Sequence, residues 1–392
     1  MKPLPLSGNA KILRGVSEPL QRQVLRLRSL DSDLGRSIDA HDAAIVRDAN
    51  DAGVAIRNGF TSAVCIGVAA ENMEGISNAL LLSEEFGYLN DGDVIGFDPE
   101  SLRFRVNYRR ASKHNAFLVT ERCNHYCLMC SQPPKNIDDS WILDEIEECI
   151  PLVDPGTETL GFTGGEPLLQ WQRFTSILKK TRDLLPSTSV HVLTNGRGFS
   201  SDEVASAWAN IGHPRLCAGI PIYAAVDHIH DYVVQARGAF DDTVLGILRL
   251  KDKGQRIEVR IVLQRISALR IVETCTWLAR NLPFVDHVAL MGLENTGFTL
   301  ANEDLLWIDP VDYQEQLAEA VSILVAAGLN TSVYNLPLCL LDRSVWPLAV
   351  QSISDWKNSH LPECEICQSR SSCAGFFTTG RLRKSRGIKP FT

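Results

Sequence analysis

The sequence lacks the features of a membrane-bound or secreted protein. None of its apolar runs approaches the roughly 20 residues that a bilayer-spanning helix needs, and its first twenty residues contain no continuous apolar core typical of a signal peptide. We therefore expect the chain to stay in the reducing cytoplasm. Eleven cysteines are many for that compartment, where they favour metal or redox chemistry over disulfides.

The chain also lacks an excess of positive charge. Its 47 acidic residues outnumber 39 basic ones, giving a net charge of −8, so a dedicated nucleic-acid binder is not expected. It has no internal repeat and no low-complexity tract. With 392 residues, of which 45% are hydrophobic and 22% charged, it is expected to form two or three ordered domains.

Residues 1–110 differ in pattern from the rest and predict an accessory α+β domain. Two early stretches, Gln21–Leu30 and Asp42–Ala52, resemble helices. The segment Leu89–Tyr108 alternates apolar and polar residues around a turn, which predicts a hairpin. We hypothesise that this domain captures a peptide, and the only ground for this is that its composition differs from that of the rest of the chain.

Residues 111–308 alternate between strand-like and helix-like stretches, which predicts parallel pairing through right-handed crossovers. Six such units predict an α/β fold, a partial (β/α)6 barrel with its reactive loops at the carboxyl ends of the strands. The predicted strands are Ala116–Thr120, Thr159–Thr163, Ser189–Thr194, Ala218–Val226, Ile257–Leu263 and Asp286–Met291. The predicted helices are Leu143–Leu152, Trp171–Leu185, Asp202–Ile211, Phe240–Lys253 and Leu269–Asn281. Residues 309–392 predict one more helix, Val311–Ala327, followed by a loop-rich, cysteine-rich region.

Three cysteines, Cys123, Cys127 and Cys130, follow the first barrel strand with C-x3-C-x2-C spacing. Random placement would give roughly 0.01 such triplets in a chain of this composition. Three thiolates on one short loop can hold three irons of a [4Fe–4S] cluster, and the fourth iron then stays open to a small molecule. The alternative is a zinc site with His125 as fourth ligand, although folding back inside the spacing would be awkward.

Polar and glycine-rich segments lie at the ends of the second and third predicted strands. Gly164 and Gly165 would let the backbone pass close to a ligand, and Glu166 could accept hydrogen bonds from an ammonium group, although the segment alone could be a tight turn. Thr194-Asn195-Gly196 could equally be an ordinary Asn-Gly turn. Arg260 lies in an apolar strand and needs a partner, either a ligand carboxylate or a glutamate of the chain.

The C-x3-C-x2-C loop directly after the first strand resembles the signature of the radical S-adenosylmethionine (radical SAM) superfamily. The resemblance implies that Cys123, Cys127 and Cys130 bind a [4Fe–4S] cluster whose open iron chelates the amino and carboxylate groups of SAM. It also implies that the reduced cluster cleaves SAM to a 5′-deoxyadenosyl radical. The adenine would lie near Met129, a position usually aromatic in the family.

The other segments acquire roles from the same resemblance. The Gly164–Pro167 segment is similar to the family's GGEP motif, which holds the SAM amino group, and the Thr194–Gly196 segment to its TNG element. Arg260 would pair with the SAM carboxylate. The expected SAM-binding residues are therefore Met129, Thr163, Gly164, Gly165, Glu166, Pro167, Thr194, Asn195 and Arg260.

The His-rich segment Asp227–Asp231, followed by Gly238-Ala239-Phe240, invites a metal-site interpretation. Family members that modify peptides often carry a similar pattern after the fourth strand. A helix-capping and packing role is the better interpretation, because Asp readily caps helices.

A second set of cysteines lies towards the end of the sequence: Cys364, Cys367 and Cys373, with Cys339 upstream. Four thiolates could hold a structural zinc. The C-x2-C-x5-C spacing also resembles the auxiliary-cluster region of the SPASM and twitch subfamilies, which implies an auxiliary [4Fe–4S] cluster. The remaining cysteines are expected to be small buried hydrophobes: Cys65, Cys149, Cys217 and Cys275.

Longer strings resemble the C-type maturases of the His-Xaa-Ser system: Thr120–Asn124 with Cys127–Pro134, then Met291–Gly297 and Gln351–Trp356. That resemblance implies a substrate peptide with His-Xaa-Ser repeats, a partner radical SAM protein and an external electron donor. Two alternatives stay open. One is a radical SAM enzyme acting on a nucleoside or small metabolite, and the other is a cluster-bearing sensor without turnover.

Overall fold

The computed structural model describes residues 4–14, 22–30, 37–68, 76–351, 359–377 and 383–392. Within these ranges the strands form two sheets of eight strands each. No helix in the described ranges is both long and apolar enough to cross a membrane. Of the string Gln351–Trp356, only Gln351 is among the described residues, and residues 352–356 lie outside them.

The first sheet is mixed, with the order β1-β8-β7-β3-β4-β5-β6-β2. Its strands are β1 (Ser7–Asn9), β2 (Lys11–Arg14), β3 (Gln23–Arg28), β4 (Asp42–Val46), β5 (Ser62–Ile66), β6 (Asn78–Leu82), β7 (Val94–Asp98) and β8 (Arg103–Tyr108). The strands from β3 to β6 pair in parallel, and the other pairs are antiparallel. The hairpin predicted within Leu89–Tyr108 is confirmed as β7 and β8.

The two early helix predictions are wrong. Gln21–Leu30 contains strand β3, whose apolar residues lie between β7 and β4 and are buried on both faces. Asp42–Ala52 begins as strand β4, and its helix α1 starts only at Ala49, after the capping residue Asp48. Short central strands carry continuous apolar stretches, and these cannot be distinguished from buried helices by periodicity alone.

The second sheet is parallel throughout and runs in sequence order from β9 to β16, with the first and last strands at its edges. Its strands are β9 (Asn115–Thr120), β10 (Thr159–Gly164), β11 (Ser189–Leu193), β12 (Leu216–Pro221), β13 (Arg256–Leu263), β14 (His287–Gly292), β15 (Thr331–Tyr334) and β16 (Ala349–Val350). The helices between and after them are α2 (Trp141–Cys149), α3 (Trp171–Leu184), α4 (Asp202–Ala209), α5 (Asp227–Val234), α6 (Ala239–Asp252), α7 (Arg265–Ala268), α8 (Ile271–Asn281), α9 (Phe298–Ala301), α10 (Glu303–Leu306) and α11 (Gln314–Ala326).

This alternation confirms the α/β fold class and the six predicted strand–helix units, from β9 to β14. Two short parallel strands, β15 and β16, extend the sheet where the sequence predicted only loops. Each has four residues or fewer, too few for a recognisable pattern. The barrel core packs aromatic residues between sheet and helices, with Phe162, Phe174 and Trp208 all fully buried.

The first sheet is attached to the barrel by a cluster of charged and aromatic groups around α2. The Trp141 ring contacts two guanidiniums, that of Arg22, just before β3, at 3.6 Å and that of Arg105, in β8, at 4.4 Å. The buried carboxylate of Glu145 accepts hydrogen bonds from Arg105 (2.8 Å) and Asn107 (2.6 Å). Cation–π contacts and charge-assisted hydrogen bonds therefore set the position of the sheet against the barrel.

Replacing Trp141 by alanine should loosen this attachment. We expect Trp141→Ala to lower the free energy of unfolding by about 2 kcal/mol or more, because two partly desolvated cation–π contacts and the ring packing are lost. Urea unfolding followed by fluorescence and limited proteolysis would measure the effect. Leu184→Ala, at a position 44% exposed on α3, is the control and should change stability by less than about 0.5 kcal/mol. Equal effects of the two substitutions would contradict the assignment.

Candidate active site

The cysteine loop, which we define as residues 120–130, begins at the end of β9 and forms one wall of a cavity of about 710 Å³. Loops that follow neighbouring parallel strands meet at the same edge of a sheet. The sequence-predicted residues that line this cavity are Cys123, Cys127, Met129, Cys130, Thr163, Gly164, Gly165, Thr194, Asn195 and Arg260. The other two, Glu166 and Pro167, are buried behind the wall.

The start of the cysteine loop is fixed by Asp139, whose side chain is almost fully buried. Its Oδ2 accepts hydrogen bonds from the Thr120 hydroxyl (2.6 Å) and the Glu121 backbone N–H (2.6 Å). Its Oδ1 lies 3.3 Å from Nε of Arg122. Charge-assisted contacts of this kind set the direction of the backbone as it leaves β9. Asp139 lies outside the cysteine motif, so no sequence pattern identified it.

Gly164 and Gly165 are needed because the cysteine loop packs directly on them. A Cβ on Gly164 would lie 2.4 Å from the carbonyl oxygen of Thr120, and one on Gly165 would lie 1.9 Å from that of Arg122. Hydrogen bonds hold the same contact, since Gly165 N–H donates to Thr120 O (2.7 Å) and Glu166 N–H donates to Arg122 O (2.9 Å). The sequence predicted that the backbone at these two glycines lies close to a ligand. In the structure this backbone lies close to the cysteine loop.

Glu166 links the end of β10 to the turn after β11. Its carboxylate accepts hydrogen bonds from the backbone N–H of Leu168 (2.9 Å), the Thr194 hydroxyl (2.7 Å) and the backbone N–H of Asn195 (2.6 Å). Burial raises the pKa of Glu166, and the three donors oppose that shift. The carboxylate is therefore engaged by groups of the chain.

The turn after β11 reaches the middle of the cysteine loop. Asn195 Nδ2 donates to Asn124 Oδ1 at 2.6 Å, and the Asn195 carbonyl accepts from the Thr243 hydroxyl of α6 at 3.0 Å. Gly196 has a φ of 79°, which completes the turn at a position that disfavours other residues. The predicted TNG element thus positions the loop and also lines the cavity.

Helix α5 supports the outer side of the cysteine loop. The backbone N–H of Tyr126 donates to the carbonyl of Val234 (3.1 Å), and that of Leu128 donates to the carbonyl of Val233 (3.0 Å). These bonds satisfy carbonyls at the end of the helix, which have no partner within it. The loop is therefore joined to the last turn of α5.

The segment around α9 supports the end of the cysteine loop. Phe298 N–H donates to the carbonyl of Cys130 (2.9 Å), and Asn302 Nδ2 donates to that of Leu128 (2.8 Å). A Cβ on Gly297 would lie 2.3 Å from the Cys130 carbonyl oxygen, so this contact also requires glycine. The Met291–Gly297 string therefore ends at the cysteine loop.

The three sulfurs of the loop lie in a protected environment. Cys123 Sγ accepts a hydrogen bond from the His125 backbone N–H (3.4 Å), and the Cys130 thiol donates to the carbonyl of Gln132 (3.0 Å). Burial raises the pKa of Cys123 to about 11 and also raises the pKa values of Cys127 and Cys130. Thiolate ligation must therefore release protons when metal binds.

His125 is buried, and neither of its ring nitrogens has a hydrogen-bond partner in the described ranges. Burial lowers its pKa to about 4, so the imidazole is neutral at neutral pH. No three His, Cys, Asp or Glu side chains among the described residues converge on one ion position. A zinc site with His125 as its fourth ligand stays the alternative to a cluster at these cysteines.

Met129 and Arg260 both line the cavity, but Met129 makes apolar contacts and Arg260 makes hydrogen bonds. Met129 is 7% exposed and packs in an apolar cluster with Tyr223 and Val233. Arg260 donates from one terminal nitrogen to Glu258 Oε1 (2.8 Å) and from the other to Met291 Sδ (3.0 Å). The structure thus provides the glutamate partner that the sequence analysis considered for Arg260. A contact with a SAM carboxylate stays a prediction.

The Asp227–Asp231 segment has the predicted capping role. The Asp231 carboxylate accepts hydrogen bonds from the backbone N–H groups of Gly238 (2.5 Å) and Phe240 (2.9 Å) at the start of α6. His230 is buried and packs on Tyr223 and Phe240, with ring centroids 5.7 Å apart in each pair. These contacts explain the pattern as capping and packing.

The second set of cysteines lines a separate, small cavity. Cys339, Cys364, Cys367 and Cys373 share it with His360 and with residues 389–391. Backbone N–H groups point at the sulfurs: Leu338 and Gly375 donate to Cys373, and Phe391 donates to Cys367, each at 3.4 Å. Such hydrogen bonds are the usual surroundings of sulfur ligands to metal. Of the other cysteines, Cys65, Cys149 and Cys275 are buried as expected, and Cys217 is half-buried.

Residues 117–278 match the family model of the Radical SAM superfamily. This range begins in β9, ends in α8, and contains the cysteine loop, the glycine segment, the TNG turn and Arg260. The chain contains a radical SAM domain.

The radical SAM domain has relatives of several kinds. A GTP 3′,8-cyclase of Campylobacter jejuni (strain RM1221) is 27% identical over 174 residues, covering 42% of this chain and 48% of the relative. The chain thus spans about half the length of the curated relatives it matches. Similar solved structures include Streptococcus suis SuiB bound to S-adenosylmethionine (TM-score 0.43, 13% identity, 56% of this chain and 50% of that one). A radical SAM methyltransferase from Sphaerobacter thermophilus has a TM-score of 0.43 at 14% identity, covering 62% of this chain and 72% of that one.

A methyl group at Gly165 should displace the cysteine loop. Because the added Cβ would lie 1.9 Å from the Arg122 carbonyl oxygen, Gly165→Ala should lose most of the iron bound by this loop, while the rest of the chain stays folded. Iron and sulfide counts after anaerobic reconstitution, with circular dichroism as a folding check, measure this. Gly53→Ala in α1 is the matched control, since its nearest new neighbour would lie at 3.4 Å. Full iron binding by Gly165→Ala would show that the loop tolerates displacement.

Proposed function

We propose that this protein is a radical SAM enzyme that reductively cleaves SAM at a [4Fe–4S] cluster bound by Cys123, Cys127 and Cys130. The observation that carries the proposal is the position of these cysteines. All three lie on one loop, which five separate parts of the chain hold by hydrogen bonds and which faces a cavity of about 710 Å³. A non-catalytic iron–sulfur sensor has no need for such a cavity beside its cluster.

The side chains present fit a cluster better than a single ion. In a [4Fe–4S] cluster each thiolate binds a different iron, so the sulfurs need not converge on one point. The absence of a converging set among the described residues is consistent with that arrangement. When bound, the cluster would supply the electron that cleaves SAM, and the loop would leave one iron without a protein ligand.

The chain's own residues then have separate tasks. Because three donors of the chain occupy the Glu166 carboxylate, we assign the SAM amino group to polar backbone atoms of Thr163–Gly165, which line the cavity. Met129 would provide an apolar surface for the adenine. Arg260, held by Glu258, would offer its remaining donors to a carboxylate.

We further propose that Cys339, Cys364, Cys367 and Cys373 hold an auxiliary [4Fe–4S] cluster. Their shared cavity and the N–H groups directed at the sulfurs support this assignment. A structural zinc held by the same four thiolates is the alternative. An auxiliary cluster could bind substrate or accept the electron that remains after bond formation.

For the substrate we propose a ribosomally made peptide with His-Xaa-Ser repeats, modified in the cytoplasm with an external electron donor and possible help from a second radical SAM protein. The sequence strings shared with C-type His-Xaa-Ser maturases support this choice. In the structure, one of these strings, Met291–Gly297, lies between the cavity and the cysteine loop. It could therefore contact both substrate and cluster.

A nucleotide substrate is the second candidate, because the curated relative at 27% identity is a GTP 3′,8-cyclase. A triphosphate requires several cationic groups or metal ions for recognition. The described cavity wall contains two guanidiniums, Arg109 and Arg260, and Arg260 already pairs with Glu258. The charge of the cavity therefore favours the peptide.

Cluster content and SAM cleavage test the activity. Anaerobically reconstituted wild type should contain about eight irons and, reduced by dithionite, should form 5′-deoxyadenosine. A variant combining Cys123→Ala, Cys127→Ala and Cys130→Ala should keep about four irons and form none. The matched variant with Cys364→Ala, Cys367→Ala and Cys373→Ala should also keep about four but still cleave SAM. Zinc in place of iron, or no 5′-deoxyadenosine from the wild type, would overturn the proposal.

Substrate choice needs its own measurement. A synthetic peptide with three His-Xaa-Ser repeats should raise the rate of 5′-deoxyadenosine formation by about tenfold and should lose hydrogen atoms detectable by mass spectrometry. GTP at the same concentration should do neither. Stimulation by GTP alone would favour the nucleotide candidate.

A further inference from the structure

The cavity of the second set of cysteines also contains a histidine, His360, to which no role has been given so far. It lies beyond residue 278, where the family match ends. Its Nε2 atom is buried and has no hydrogen-bond partner among the described residues. A buried polar atom without a partner is costly, so its position in a cavity lined by sulfur ligands indicates that a ligand binds there.

His360 is held against the chain that carries Cys373 by a short antiparallel bridge. Ser359 N–H donates to the carbonyl of Phe376 (2.9 Å), and Phe376 N–H donates to that of Ser359 (2.7 Å). Next to this bridge, Gly375 donates its N–H to Cys373 Sγ at 3.4 Å. A Cβ on Gly375 would lie 3.3 Å from Nε2 of His360, so a larger residue there would crowd this nitrogen.

The ring of His360 is oriented by the backbone. It hydrogen-bonds to the carbonyls of Arg370 and Cys373. Because Nε2 has no partner among the described residues, Nδ1–H is the donor, and Nε2 of the neutral imidazole carries a lone pair. A histidine that binds metal usually donates its other ring N–H to a carbonyl or carboxylate in this way. A lone pair cannot donate to a thiolate or a sulfide, so its partner in this cavity would be iron.

The cavity offers more ligands than a [4Fe–4S] cluster needs. Each of the four irons takes one protein ligand, and five side chains are present: Cys339, His360, Cys364, Cys367 and Cys373. An unbound cysteine stays a small thiol that packs without a hydrogen-bond partner, whereas an unbound His360 keeps a buried lone pair unsatisfied. His360 also shares one segment with three of the cysteines, with the spacing H-x3-C-x2-C-x5-C, while Cys339 lies on a separate turn upstream.

We propose that His360 is a ligand of the auxiliary cluster through Nε2, in the place that the four-cysteine arrangement gives to Cys339. The inference rests on the proposed function, because it requires the auxiliary cluster, and it changes one ligand of that cluster. A neutral imidazole in place of a thiolate makes the cluster less negative and raises its reduction potential. The auxiliary cluster therefore accepts an electron more readily than one held by four thiolates.

Pulsed EPR of the reduced auxiliary cluster tests the ligand directly. The sample is the full chain with Cys123→Ala, Cys127→Ala and Cys130→Ala, in which the auxiliary cluster is the only one left. We expect strong hyperfine coupling to one nitrogen, which changes when histidine is labelled in the ring with the heavy nitrogen isotope. Adding His360→Cys should abolish this coupling, keep about four irons and lower the reduction potential.

A matched control excludes a general effect of losing a histidine. Adding His228→Gln, at a position on α5 whose side chain is 76% exposed, should leave the spectrum and the potential unchanged. Circular dichroism reports whether each variant folds.

A second measurement examines Cys339 in the same background. Cys339→Ala should keep about four irons, the nitrogen coupling and the reduction potential, because the thiol that it removes is not a ligand. Cys364→Ala is the matched comparison and should change both the spectrum and the potential, because it removes a ligand.

The outcomes separate the two proposals. An auxiliary cluster without strong nitrogen coupling would overturn the role of His360 and leave the cluster itself in place. A changed potential or lost iron in Cys339→Ala would also count against His360, since the four-cysteine arrangement predicts that result. Zinc in place of iron at this site would overturn the auxiliary cluster of the proposed function, and His360 as an iron ligand with it.

Discussion

The structure depends on how an irregular loop is made rigid. The cysteine loop carries three sulfurs, yet it has no helix or strand of its own after Thr120. Its order comes from hydrogen bonds supplied by Asp139, the β10 turn, Asn195, α5 and Asn302. Because these partners come from distant parts of the sequence, the whole barrel must fold before the sulfurs reach their places. Local stability of the site is therefore tied to global folding.

Two buried carboxylates hold much of this loop in place, although burying a charged group is unfavourable. Asp139 and Glu166 are almost fully buried, and an unpaired charge at either position would be strongly unfavourable. Each is instead surrounded by donors of the chain, three of them on Glu166. A carboxylate engaged in this way is a rigid connector, and it has little freedom left for a ligand. Glu166 can therefore support the site through its hydrogen bonds although it does not line the cavity.

The sequence predicted which residues meet at the cavity better than it predicted the contacts that hold them there. Spacing identified Cys123, Cys127 and Cys130, and strand position identified Gly164 and Gly165, because short motifs at strand ends survive any uncertainty about packing. The sequence could not show that those glycines contact Arg122, because that contact joins two loops that are far apart in the sequence. Asp139 had no motif at all. The barrel was predictable from its regular alternation of strands and helices, whereas the helix predictions over β3 and β4 are wrong because short buried strands show no clear period.

The first sheet belongs to the site for a physical reason that its own sequence does not reveal. Gly96 lies beneath Glu145, and a Cβ there would come 2.2 Å from the carboxylate oxygen, so a larger residue would displace the barrel side chain from this position. Glu145 then holds Asn107, which lines the cavity beside the cysteine loop, and Arg105, which also stacks on Trp141. A short chain of contacts thus joins the first sheet to one wall of this cavity. A shift of the first sheet would therefore change the width of the cavity.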